Sequence, residues 1–171
     1  MSDVSAKEAL PAAAHEQRDE IGRLVLASWH GTGTAGNIRN GRWLVAVDGS
    51  DCALRAVAMA AQLAALEADA ELDLLHVQSW LTIEAAESEL PKRGWAATAK
   101  ARALLDAASV RWRLHVAMGE PALEIVRLAN VFASRAVVIG SRGLNAAESM
   151  MLGSAAYQVL HLSKLPVLLV R

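Results

Sequence analysis

A single cysteine, Cys52, occurs in the 171-residue chain, so no disulfide can form within it. A reducing, cytoplasmic setting suits that composition. The chain also lacks a charge excess of either sign, with 17 Lys and Arg against 18 Asp and Glu. Such balance leaves no electrostatic footprint for nucleic acid or a membrane surface, and neither is expected as a partner. No apolar run is long enough to span a bilayer. Charged residues between Asp3 and Glu20 interrupt the N-terminal segment, so a secretory signal is not expected.

Catalytic signatures are missing as well. No glycine run ends in the Gly-Lys-Ser/Thr of a P-loop, which removes the lysine that serves phosphoryl transfer in that class. There is no nucleophile–base pair and no carboxylate dyad. His76, His115 and His161 stand at no metal-ligand spacing. His76 and His115 lie inside apolar runs and read as packed, hydrogen-bonded side chains. Cys52 reads as a small buried hydrophobe. No catalytic residue and no metal ligand is assigned.

What is abundant is apolar surface. Hydrophobic residues make up 54% of the chain, enough to bury a sheet on both faces. The organisation divides near residue 42. Residues 1–41 read as an N-terminal extension: an Ala-rich start, a candidate amphipathic helix over 16–29 using Ile21, Leu24, Val25 and Trp29, then a linker punctuated by Gly31, Gly33, Gly36 and Gly41. Whether that segment is a loose tail or a docking helix stays open.

From Arg42 to Arg171 the pattern is regular. Apolar runs at 43–47, 72–77, 111–117, 136–139 and 166–170 read as five strands. Helical spacing covers 51–66, with Ser50 or Asp51 as its cap. A second helix is read over 91–108, with Pro91 either starting it or breaking a longer one. A third opens at Gly119-Glu120-Pro121, and a fourth runs over 154–162. Continuous apolar strands alternating with helices imply a doubly wound five-stranded parallel sheet with helices on both faces, a Rossmann-like α/β fold. The expected order is 3-2-1-4-5, which reverses between strands 1 and 4. Ligands of such folds bind beyond the carboxyl ends of the strands at that reversal.

Two loops would meet there: Asp48-Gly49-Ser50 after strand 1, and Gly140-Ser141-Arg142-Gly143 after strand 4. Nine residues later, Gly153 and Ser154 open the last helix. Bare backbone amides at a glycine turn and a helix N-terminus form an anion site. The spacing tilts toward a phosphate-bearing ligand over a mere tight connection. Arg142 either reaches phosphate or faces solvent. Trp80 and Trp95 are candidates for a lid, with core or dimer packing preferred.

In this order and spacing, Leu44-Val45-Ala46-Val47-Asp48-Gly49-Ser50, Leu74-Leu75-His76-Val77, Gly119-Glu120-Pro121, Ile139-Gly140-Ser141-Arg142-Gly143, Leu152-Gly153-Ser154 and Pro166-Val167-Leu168-Leu169-Val170 resemble the universal stress protein family. The resemblance covers residues 42–171 and itself implies the adenine-nucleotide-hydrolase-like sheet order. It implies ATP, or another adenine nucleotide, as ligand, since the chain matches the Gly-x2-Gly-x9-Gly-Ser/Thr pattern of ATP-binding members. Carried over by position, Asp48 would hold ribose hydroxyls or a phosphate-bound Mg²⁺ through water. Ala46 and Val47 would line the base and sugar pocket, with Ser50 and Ala155 beside it. Val77 would meet adenine through its backbone. Gly140 and Gly143 would admit ribose and phosphates, and Gly153 and Ser154 would cradle the phosphates. Ala156 departs from relatives that carry a second hydroxyl there, and Arg135 replaces a usual Asp. The resemblance also implies a homodimer through 166–170 and an unidentified regulatory protein as partner. The expected role is a nucleotide-dependent stress regulator; the alternatives are a dimeric scaffold that binds no nucleotide and a slow ATPase.

Overall fold

The computed structural model describes residues 9–31, 42–67, 71–144 and 152–171. The linker glycines Gly33, Gly36 and Gly41, the start of the Ala-rich segment and most of the nine-residue spacer lie outside the described residues.

Twelve elements are described: β1 (His15–Arg18), β2 (Leu24–His30), β3 (Trp43–Ala46), α1 (Asp51–Ala64), β4 (Glu71–Gln78), α2 (Ile83–Ala97), α3 (Ala99–Ala107), β5 (Arg111–Met118), α4 (Pro121–Val131), β6 (Ala136–Gly140), α5 (Ser154–Leu162) and β7 (Val167–Val170). They build one sheet, ordered β1-β2-β5-β4-β3-β6-β7. The five strands from β3 onward are parallel to one another and carry the expected 3-2-1-4-5 order. The count of five is corrected to seven, because β1 and β2 add an antiparallel hairpin beside β5.

That hairpin also corrects the helix expected over 16–29. Leu24, Ala27 and Trp29 join the core on one sheet face and Leu26 joins it on the other. A strand buried on both faces gives a near-continuous apolar run, which a helical period fits equally well. The deciding local feature is the turn. Asp19 Oδ1 accepts the N–H groups of Ile21 (3.1 Å) and Arg23 (2.9 Å), and Gly22 sits at φ +81°. A left-handed residue at that point reverses the chain.

The helix after β4 is likewise corrected. It starts at Ile83, well before Pro91, and runs through that proline to Ala97. Thr82 caps it by accepting the Ala85 N–H at 3.3 Å. Its buried side is Ala86, Leu90, Pro91 and Gly94. Gly94 lets the helix lie directly on β5, where any Cβ would collide with Val116. Packing of that face offsets the cost of an internal proline.

The two sheet faces carry separate cores. α1, α2 and α3 cover one, around Val45, Val57, Leu72, Leu74, Leu90, Leu105 and Leu114. α4 and α5 cover the other, around Leu44, Leu75, Ile125, Leu128, Val137 and Val159. A polar row crosses this second face at the end of the sheet remote from the strands' carboxyl ends. His115 Nε2 donates to Asp73 Oδ1 (3.1 Å), Arg42 Nε donates to Asp73 Oδ2 (2.7 Å), and Ser28 Oγ lies 2.8 Å from His115 Nδ1. Asp73 is fully buried. Burial pushes its carboxyl upward, but the bonds and charges of His115 and Arg42 outweigh this and hold it below its ordinary value of 3.8. The row ties β2, β5, β4 and the start of β3 together, fixing the hairpin's register.

Candidate functional site

A cleft of about 440 Å³ opens at the carboxyl ends of β3, β4 and β6, where the strand order reverses. All eleven residues singled out from the sequence line it: Ala46, Val47, Asp48, Ser50, Val77, Gly140, Arg142, Gly143, Gly153, Ser154 and Ala155. Its volume falls within the range of about 300–1,000 Å³ common for small-molecule sites.

One end of the cleft is a bare helix N-terminus. Gly153, the residue before α5, supplies no side-chain cap. Its own N–H is taken by Ser141 O at 2.7 Å, and the first bond within the helix is Tyr157 N–H to Gly153 O at 2.9 Å. The amides of Ser154, Ala155 and Ala156 therefore precede the helical ladder, and all three residues line the cleft. By contrast, Ser50, Thr82 and Glu120 cap α1, α2 and α4 with their side chains.

Opposite this terminus lies the turn after β3. Asp48 Oδ1 accepts the Ser50 N–H at 2.9 Å and Oδ2 accepts the Leu144 N–H at 3.0 Å. Gly49 turns the chain at φ +89°. Ser50 Oγ accepts the Ala53 N–H (3.2 Å) and donates to Arg142 O (3.5 Å). The loops after β3 and β6 are thus joined by side chains from the former. Gly143 has no room for a side chain, since a Cβ would stand 2.6 Å from Asp48 Oδ2. Gly140 packs on α1 instead, where a Cβ would lie 2.8 Å from the Cys52 carbonyl carbon.

The other end of the cleft is apolar with one polar backbone edge. Leu75, Val77, Ile125 and Ile139 line it, with Gln78 and Ser79 at the rim. Leu75 O accepts the Val47 N–H (2.8 Å) on the β3 side, while Gln78 O accepts the Gly119 N–H (2.8 Å) on the β5 side. Backbone groups alternate sides along a strand, so the N–H and C=O of Val77 face the β3 side, past the point where β3 has ended. Both groups look into the cleft.

Among the lining residues that the sequence reading missed are His76, Gln78, Ser79 and Leu75. Their one signal was adjacency to Val77 at a strand end. His76 is packed, as expected, yet it also borders the cleft. Its Nδ1–H donates to Val47 O at 2.9 Å, and burial holds the imidazole below its ordinary value of 6.5. Cys52 is buried. Burial pushes its thiol up, and bonds from Arg142 and Ser141 with the charge of Arg55 outweigh that, leaving it below the ordinary thiol value. Trp80 and Trp95 do not line the cleft: Trp95 packs on Trp29 at 5.7 Å, and Trp80 stands outside.

Among the described residues no three His, Cys, Asp or Glu side chains cluster as a metal site. Nor is any helix among them long and apolar enough to cross a membrane.

Fold and cleft together define a doubly wound α/β domain with a crevice at its switch point. The sequence profile of the universal stress protein family matches residues 40–171, and the chain belongs to that family. It is 36% identical over 146 residues to the Universal stress protein YxiE of Bacillus subtilis, covering 76% of this chain and 98% of that protein. A universal stress protein solved in complex with cAMP shares 28% identity at a TM-score of 0.62, over 77% of this chain and 97% of that one. The Archaeoglobus fulgidus universal stress protein in complex with dAMP, at 24% identity and a TM-score of 0.61, covers 79% of this chain and 100% of that one. This last likeness is one of fold.

Proposed function

We propose that the cleft binds an adenine nucleotide, ATP foremost, and that the protein acts as a nucleotide-dependent regulator in stress response. The observation that carries this reading is the uncapped N-terminus of α5, facing a glycine loop across one cleft from the exposed backbone edge of Val77. Free amides and the helix dipole favour phosphate at one end. An apolar slot with one N–H and one C=O favours a flat base that both donates and accepts at the other. Asp48 lies between them, where each of its oxygens has one backbone partner and a further lone pair for a ribose hydroxyl. The cAMP complex of a 28%-identical family member favours adenine as that base.

A Mg²⁺ ion fits this site only as a companion of the phosphates. Asp48 is the one carboxylate lining the cleft among the described residues, so the ion's other ligands would be phosphate oxygens and water. Among the described residues no side chain there is placed to drive fast hydrolysis, and turnover is expected to be slow.

The protein is further proposed to be a cytoplasmic homodimer joined through β7. All four β7 residues are half-buried and apolar at an open sheet edge, whereas the opposite edge strand, β1, is exposed and polar. An apolar open edge is an association surface. This edge is also the observation behind the second reading, a dimeric scaffold that works without nucleotide.

Calorimetric titration with ATP and AMP tests the first reading. Saturable heat, lost in Gly153→Val, supports it. Absence of both heat and thermal shift overturns it in favour of the scaffold.

A further inference from the structure

The N-terminal hairpin reaches the segment that follows β4, whose first residue lines the cleft. Arg23, at the close of the hairpin turn, is oriented by Asp19 through Nε–Oδ2 at 3.0 Å and Nη2–Oδ2 at 3.0 Å. Its Nη1 donates to Leu81 O at 3.2 Å, and its guanidinium lies 4.8 Å from the centre of the Trp80 ring. A second tie follows from the same hairpin, where Arg18 pairs with Glu87 of α2. From the sheet side, Met118 Sδ accepts the Leu81 N–H at 3.1 Å. The segment 79–82 is therefore gripped on both sides. It starts at Ser79, which lines the cleft, and ends at Thr82, which caps α2.

Trp80 gives the grip its visible mark. It is 60% exposed, a large ring standing outside the core with the Arg23 cation against it. A cation over an indole face is attracted to the ring quadrupole, and a guanidinium also offers its in-plane N–H groups to a carbonyl. Arg23 uses both properties on adjacent residues, which a purely apolar side chain could not do. The hairpin lies outside the 40–171 match to the family, so this grip comes from the part of the chain beyond that match.

We propose that Arg23 is a positioning residue for the base end of the cleft: by holding 79–82 it fixes Gln78, Ser79 and the Val77 edge, and so sets discrimination between adenine and other bases. This rests on the nucleotide reading above. The hairpin touches neither the glycine loop nor the α5 terminus through these bonds, so its effect falls on base selectivity and not on phosphate binding.

Hydrogen exchange and base selectivity test it in the full chain. In Arg23→Met, amides of 80–83 should exchange faster by about tenfold, as expected for loss of a hydrogen bond to a charged donor, while β3, β4 and β6 keep their protection. The ratio of ATP to GTP affinity should fall by about threefold to tenfold. Arg23→Lys, which keeps the cation over Trp80, should recover most of both. Unchanged exchange at 80–83 overturns the proposal. So does faster exchange with an unchanged ATP:GTP ratio. Wild-type protein that binds neither nucleotide defeats the cleft reading and the selectivity claim with it, and the exchange result still reports whether the grip exists.

Discussion

Asp48 and Leu144 are joined across the cleft: the carboxylate of the first accepts the backbone N–H of the second at 3.0 Å, although 96 residues separate them. One side chain at the end of β3 thereby sets where the glycine loop after β6 ends. Asp48→Ala removes that tie together with the bond to Ser50 N–H. If Asp48 also receives ribose hydroxyls, calorimetry should show ATP affinity falling by about tenfold or more, since hydrogen bonds to a charged group contribute about 1.5–3 kcal/mol. An affinity unchanged in Asp48→Ala would remove Asp48 from the site.

Gly153 and Gly140 should behave oppositely. A Cβ at Gly153 meets only ordinary contacts, its three nearest atoms lying at 3.4–3.5 Å, so Gly153→Ala should fold with near-native stability. Its methyl would intrude on the phosphate end, and nucleotide affinity should drop. Gly140→Ala would press on the Cys52 backbone and should cost about 1–3 kcal/mol in urea denaturation, as overpacking does. A Gly140→Ala protein as stable as wild type would contradict the close packing of β6 on α1.

Asp73 should control acid stability. Its carboxyl is held below 3.8 in the folded protein, so the unfolded chain takes up its proton first as pH falls. The contribution of Asp73 is then fully present above the ordinary carboxylate range and is lost as pH drops through the lowered folded value. Asp73→Asn removes the buried carboxylate that Arg42 and His115 both bond, leaving Glu71 as the remaining anion beside Arg42, and should cost about 3–5 kcal/mol at pH 7. The difference between wild type and variant should stay flat from pH 7 to about pH 5 and shrink below pH 4. A difference that grows on acidification would contradict the assignment.

The β7 edge should set the oligomeric state. Pro166 O accepts the Val137 N–H of β6 and Val170 O accepts the Ser141 N–H just past its end, so Val167 and Leu169 turn their backbone groups to the open edge. Val167→Lys puts a charge on that edge strand at the rim of the second core, a change that blocks edge-to-edge pairing. Sedimentation should show wild type as a dimer and the variant shifted to monomer. A wild-type monomer would rule out association through β7.

The strand ends were legible because their signals are local: Val47-Asp48-Gly49-Ser50 and Gly140 to Gly143 each mark one. Bringing the two ends to one cleft rested on the sheet order, which the family resemblance itself implies. The hairpin was not legible. Ile21, Leu24, Val25 and Trp29 satisfy a helical period, and only the Asp19–Gly22 turn excludes it. The start of α2 was hidden by Pro91, whose cost is offset by a face that packs only in three dimensions. Asp73 and His115 lie 42 residues apart, so their bond leaves no trace in either strand's own pattern.

Calorimetric titration of the full chain with ATP is the most direct test of the account. Saturable binding to one site per chain, reduced by Gly153→Ala and by Asp48→Ala in proteins that keep their fold, is the predicted result. No detectable heat for ATP, AMP or cAMP, with no shift in melting temperature, would contradict it.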